Sequence, residues 1–311
     1  MKKTGKILLC SLSLSATLCL FGSQPSMAKK TAPKNTVQIS LETSRSDVKR
    51  STKSLKDKIT TTKIPLSGSW KYAQNSKIHS GSATLYTNHS KKANGITVCV
   101  NAGHGTDGGS SVQTLSHPDG TPKVTGGSNA AGAVWSTAVS SGTTFLDGTP
   151  ERSITLRMAK ILRTKLLKKG YNVLMIRETN NVQLDNIART VIANNNADCH
   201  IALHWDSSTS DKGAFFMSVP NISSYRAMEP VASHWKEHNQ LGSCLIAGLK
   251  KSGQKIFGSG SMGMDLTQTS YSTIPSVDIE LGDRASDHSD AHLSGLADGL
   301  AKGIDGFFRI K

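Results

Sequence analysis

Residues 96–100, Ile-Thr-Val-Cys-Val, form an unbroken apolar and β-branched run that ends in Asn101-Ala102-Gly103-His104-Gly105. A run without polar alternation fits a strand buried on both faces, as in a mostly parallel sheet. Functional groups in such sheets sit just past the carboxyl ends of the strands. His104 therefore stands where a site belongs, and its flanking glycines let backbone or ligand approach closely. Taken alone, the stretch also fits a turn histidine with no task.

The chain before this strand has a different character. Lys2, Lys3 and Lys6 precede an apolar segment from Ile7 to Phe21, and Ser26-Met27-Ala28 is a small-x-small cleavage signal. Residues 1–28 are thus expected to be a signal peptide, with no transmembrane segment left after cleavage; an uncleaved anchor is the alternative. Residues 29–94 hold fourteen Lys/Arg and three Asp/Glu, a net of +11, whereas residues 95–311 hold twenty and nineteen. The basic balance belongs to the tail. That tail lacks the apolar content for a core at least as far as Lys63 and is expected to be disordered, with Trp70, Tyr72, Leu85 and Tyr86 supporting only short local structure. A basic tail on an exported chain points to an anionic surface such as wall polymers and away from nucleic acid; a solvated spacer is the bland reading. The three cysteines after the signal, Cys99, Cys199 and Cys244, form no CxxC pair and read as buried small hydrophobes.

Residues 95–311 suffice for one domain with a sizeable core. After a long Gly/Ser/Thr-rich stretch, Thr106 to Gly148, the sequence Thr149-Pro150-Glu151 predicts a helix start, with Thr149 as cap and Gly170 closing the far end. The long stretch reads as a mobile flap, or equally as a surface insertion with no task. Strands are predicted at 171–177, 198–204, 213–219 and 276–281, and helices at 186–195, 228–238, 243–251 and 285–308. The alternation predicts an α/β fold: a single domain with a mainly parallel central sheet flanked by helices.

Three predicted strands end in His104, His204 and Glu280, and Glu151 opens the helix beside them. Two imidazoles and a carboxylate, with water in the fourth position, are the usual set of a catalytic zinc. Other candidates are weaker. His234 and His238 stand four apart on an amphipathic helix without the HExxH glutamate and read as a solvated face. Asp287, His288, Asp290 and His292 read as a polar loop and helix start. Residues 258–263 fit GxGxxG without a following helix, and no GxSxG elbow is present.

The ordered motifs NAGHG, TPERSITLRMAKIL, LDNIARTVIANNNADCHIALHWDSS and IPSVDIELGD resemble those of zinc N-acetylmuramoyl-L-alanine amidases, the bacterial cell-wall amidase family three. The resemblance spans nearly all of residues 95–311. It departs from the usual family pattern at Asn101-Ala102, Trp205-Asp206, Asp283 and Ser286, and in the length between His104 and Glu151. It implies one zinc per chain held by His104, Glu151 and His204 at the carboxyl ends of the strands, with Glu280 as catalytic acid–base. It also implies peptidoglycan as substrate, cleavage between N-acetylmuramic acid and L-alanine, and a secreted or wall-associated enzyme. A zinc peptidase of wall peptides and a decayed wall-binding module remain as other readings.

Overall fold

The computed structural model describes residues 58–310. The expected signal segment and residues 29–57 of the expected tail lie outside the described residues. The sheet opens with β1 (Ile59–Pro65) and β2 (Ser82–Asn88), followed by the apolar run as β3 (Thr97–Ala102). A small hairpin, β4 (Gln113–Leu115) and β5 (Trp135–Thr137), precedes α1 (Glu151–Lys169). Then come β6 (Asn172–Met175), α2 (Asn186–Asn196), β7 (Cys199–Asp206) and β8 (Ala214–Ser218). The chain continues through α3 (Ser223–Ala227), α4 (Val231–Lys251), β9 (Ile256–Gly263) and α5 (Thr267–Tyr271). It ends with β10 (Ser276–Asp283) and α6 (Asp290–Phe308).

Eight strands form one sheet in the order β1-β2-β6-β3-β7-β10-β8-β9. The central four, β6, β3, β7 and β10, are mutually parallel; β2 and β8 join them antiparallel. This is the expected α/β class with a mainly parallel sheet flanked by helices. Val98, Val100 and Ala102 of β3 pack with Ile154, Met158 and Leu162 of α1 in a core that α4 and α6 also enter. Cys99, on the other face, packs with Ala188 and Ile192 of α2. Both faces of β3 are covered, which is why its sequence is apolar without alternation. Register pairs Ala102 with Leu203 and His204 with Glu280, so the carboxyl ends of β3, β7 and β10 lie side by side. No helix among the described residues is long and apolar enough to cross a membrane.

Several expectations need correction. The stretch up to residue 94 is not all tail: β1 and β2 pair over their full length, and Thr84–Tyr86 of β2 pair with β6. An edge strand can leave most of its residues in water, and Thr60 to Lys63 are exposed, so their composition resembled a disordered segment. The cap position of α1 is held by Pro150 rather than Thr149, and no side chain caps it. The two helices predicted between 228 and 251 are one, α4, whose Gly242 packs against Phe216. The GxGxxG match at 258–263, already rejected for want of a following helix, lies in β9, the outer strand.

The long stretch after His104 is anchored rather than a free flap. Asp265, fully buried just before α5, accepts hydrogen bonds from the backbone N–H groups of Val124 (2.7 Å) and Thr125 (3.1 Å). Its carboxylate also meets Lys123 Nζ at 2.9 Å and His117 Nε2 at 3.0 Å, and both partners are buried. Burial works against the Asp265 charge, but hydrogen bonds from His117, Thr125 and Lys123 outweigh it and hold the carboxyl well below the usual range. A depressed carboxylate contributes stability above its unfolded pKa of about 4, and this is lost only as pH falls through the lower folded value. Asp265→Ala leaves Lys123 buried without its counter-charge and should cost on the order of 3–5 kcal/mol. Denaturant unfolding measures this loss, and limited proteolysis should then cut within residues 106–148. An unchanged midpoint with an uncut loop would refute the anchor.

Candidate metal centre

The site is assembled from three separate elements. His104 lies two residues past β3, Glu151 is the first residue of α1, and His204 is near the carboxyl end of β7. His104 Nε2 is 2.9 Å from Glu151 Oε1 and 3.0 Å from His204 Nδ1, and the third side, His204 Nδ1 to Glu151 Oε1, is 3.2 Å. A tetrahedral metal with bonds near 2.0–2.1 Å spaces its ligand atoms about 3.3 Å apart. The triangle and the donor types therefore fit zinc, and this is the group among the described residues with metal-ligand geometry.

Local structure explains how the triangle forms. A methyl group at Gly103 would overlap the His204 ring, so only glycine lets the two segments meet. His104 itself takes φ 62°, a conformation that costs a non-glycine residue about 1–3 kcal/mol. Two fully buried arginines hold that turn by its carbonyls. Arg177 donates to Ala102 O (2.9 Å) and Gly103 O (2.8 Å), and Arg189 donates to His104 O (2.7 Å). Neither role is readable from spacing, because the acceptors are backbone atoms of a turn 70 to 90 residues away.

Further contacts set the ligands' orientation. The long stretch supplies Ser140 O, 2.8 Å from His104 Nδ1, and Thr143 N–H, which donates to Glu151 Oε2 at 2.8 Å. Trp205 N–H donates to Glu151 Oε1 at 3.0 Å. Burial disfavours the Glu151 carboxylate, but its bonds to both histidines hold the pKa well below normal. Burial likewise opposes a charged His204, yet Asp278, Glu151 and Glu280 push its pKa up to about 10. The centre favours positive charge, so protons and a metal cation compete for it.

The triangle faces a cleft of about 560 Å³, which Asn129, Thr137, Asp206, Asp278 and Glu280 also line. Asp278 and Glu280 share one face of β10 while Ile279 points into the core, as strand alternation requires. Glu280 Oε2 is buried with no hydrogen-bond partner among the described residues. Burial raises the Glu280 carboxyl well above the usual range, only partly opposed by His204.

The other histidine candidates lie elsewhere. His238 is buried, and its Nδ1 accepts from Ser276 N–H at 3.0 Å, so it packs against β10 instead of lying on a solvated face. His234 pairs with Glu237 at 3.2 Å. Ser289 caps α6 by accepting from His292 N–H, and His288 pairs with Asp147. Cys99 and Cys199 are buried and unbridged, and Cys244 is partly buried.

A family model described as N-acetylmuramoyl-L-alanine amidase matches residues 98–305. The chain belongs to this family. Among solved structures it is similar to the N-acetylmuramyl-L-alanine amidase Ami1 of Mycobacterium smegmatis, with 22% identity and a TM-score of 0.56 over 71% of this chain and 100% of that one. It is also similar to Ami1 of Mycobacterium abscessus, with 22% identity and a TM-score of 0.53 over 69% of this chain and 99% of that one. Both likenesses concern the fold. No curated protein sequence matches the chain. The amidase-family match starts within β3, so β1 and β2 lie outside it.

Proposed function

We propose that this amidase-family chain is an exported, zinc-dependent peptidoglycan hydrolase. It cleaves the amide between the lactyl group of N-acetylmuramic acid and L-alanine of the stem peptide. The observation that carries the reading is the His104–Glu151–His204 triangle opening on a cleft that Glu280 also lines. Zinc held by these three residues would supply Lewis-acid polarisation of the scissile carbonyl and acidify a water. Glu280, with its raised pKa and free carboxylate oxygen, takes the proton from the attacking water and delivers it to the departing alanine nitrogen. That delivery matters because an amide nitrogen leaves poorly as an anion. The cleft walls at Asn129 and Thr137 offer polar groups to glycan and peptide.

The test is digestion of purified peptidoglycan with and without a chelator, followed by mass spectrometry. New L-alanine amino termini that vanish with chelator are the expected result. New termini inside the stem peptide would establish a zinc peptidase instead, and intact wall would establish a binding module.

The same proposal gives the basic amino-terminal stretch an anionic wall polymer as its partner. Residues 29–57 carry eight basic and three acidic side chains. Deleting them should weaken wall binding at low salt and flatten its salt dependence, while turnover of a small soluble muropeptide stays unchanged. Equal wall binding at low salt with and without the segment would remove this part of the proposal.

A further inference from the structure

We infer that Asp278 is the positioning residue for His204: its carboxylate faces Nε2, keeps the imidazole proton on that nitrogen and so leaves Nδ1 free for the metal. The inference rests on reading the triangle as a zinc centre. A neutral imidazole carries one N–H, and the nitrogen that ligates must be the other one. His104 has this arranged by backbone, since Ser140 O can only accept, which places the proton on Nδ1 and frees Nε2. His204 is turned the opposite way. Its Nδ1 faces His104 and Glu151, and its Nε2 faces Asp278 Oδ2 at 3.5 Å.

Asp278 lines the cleft beside His204. Its side chain is 16% exposed, and its one ion-pair partner among the described residues is His204. A carboxylate so placed is costly to bury for stability alone. A carboxylate behind a ligating histidine fixes its tautomer and raises its basicity, and losing such a partner typically costs 10–100-fold in metal affinity. One strand, β10, thus carries both the proton carrier Glu280 and, two residues earlier on the same face, the group that orients His204.

The experiment measures zinc affinity by chelator competition for the signal-free chain and for Asp278→Asn and Asp278→Leu. Metal-free melting temperatures and cobalt(II) absorption spectra are recorded on the same proteins. Asp278→Asn should bind zinc about 10-fold more weakly and Asp278→Leu up to about 100-fold. The cobalt spectrum should shift in both, and zinc affinity should fall by more than any loss of metal-free melting temperature, which the missing His204–Asp278 pair also lowers, accounts for. Equal zinc affinity and identical cobalt spectra in all three proteins would overturn the inference while leaving the amidase reading intact. So would an affinity that falls only in step with the metal-free melting temperature, since that marks an ordinary structural ion pair. A wild-type chain that takes up no zinc would overturn the amidase reading and this inference with it.

Discussion

Replacing Glu280 with glutamine should lower kcat by on the order of 10²–10⁴ while the protein keeps its zinc. The substitution preserves size and removes the ability to accept a proton. Glu280 stands opposite His204 in the register of β10 and β7, and among the described residues Oε2 has no hydrogen-bond partner to lose. The fold should therefore tolerate the change. Burial lifts the Glu280 pKa, and the carboxylate is the form that accepts the proton. Activity of the wild type should accordingly rise with pH through the titration of this carboxyl. Single-turnover kinetics with zinc analysis separates the outcomes. A variant without zinc would make Glu280 a ligand, and one with normal turnover would make it a bystander. Asp278→Asn should show the reverse signature, weaker zinc but substantial turnover once zinc is saturating.

Replacing either histidine of the triangle with alanine should abolish stoichiometric zinc and with it activity, leaving the α/β fold in place. His104 and His204 each supply one side-chain nitrogen to a triangle about 3 Å across, and the remaining two groups are too few for a closed site. The metal-free wild type should show a pH signature as well. His204 has a folded pKa of about 10, above its ordinary 6.5. Its charged form thus adds stability that is complete below about 6.5 and lost as pH rises toward 10. His204→Ala should flatten that part of the stability profile. Stoichiometric zinc in either alanine variant, measured by elemental analysis, would refute the ligand assignment.

The parts of the site that read clearly from sequence share a physical cause. An uninterrupted apolar run betrays a two-sided buried strand, and strand ends are where this architecture places chemistry, so His104, His204 and Glu280 could be placed by pattern. Glu151 followed from the proline-led start of a helix. The supporting groups left no such trace. Arg177 and Arg189 act on carbonyls, Ser140 and Thr143 act through their own backbone, and Asp278 differs from any strand-face aspartate only by what stands opposite it. Tertiary placement also misled at His238, where helical spacing suited a wet face but β10 covers it. The same holds for β1, whose polar residues are those of an outermost strand.

That outermost pair has a consequence for any shortened form of this protein. Val173 to Met175 of β6 are apolar and find their outward backbone partners on β2. A chain trimmed to begin at residue 95 keeps every catalytic candidate but strips this cover. It would present a bare apolar strand whose N–H and C=O groups seek another copy, and raw sheet edges of that kind template aggregation. The polar threonines and Lys63 along β1 are the opposite kind of edge, one that discourages further pairing. The β1–β2 pair thus shields the sheet edge while supplying none of the candidate site residues.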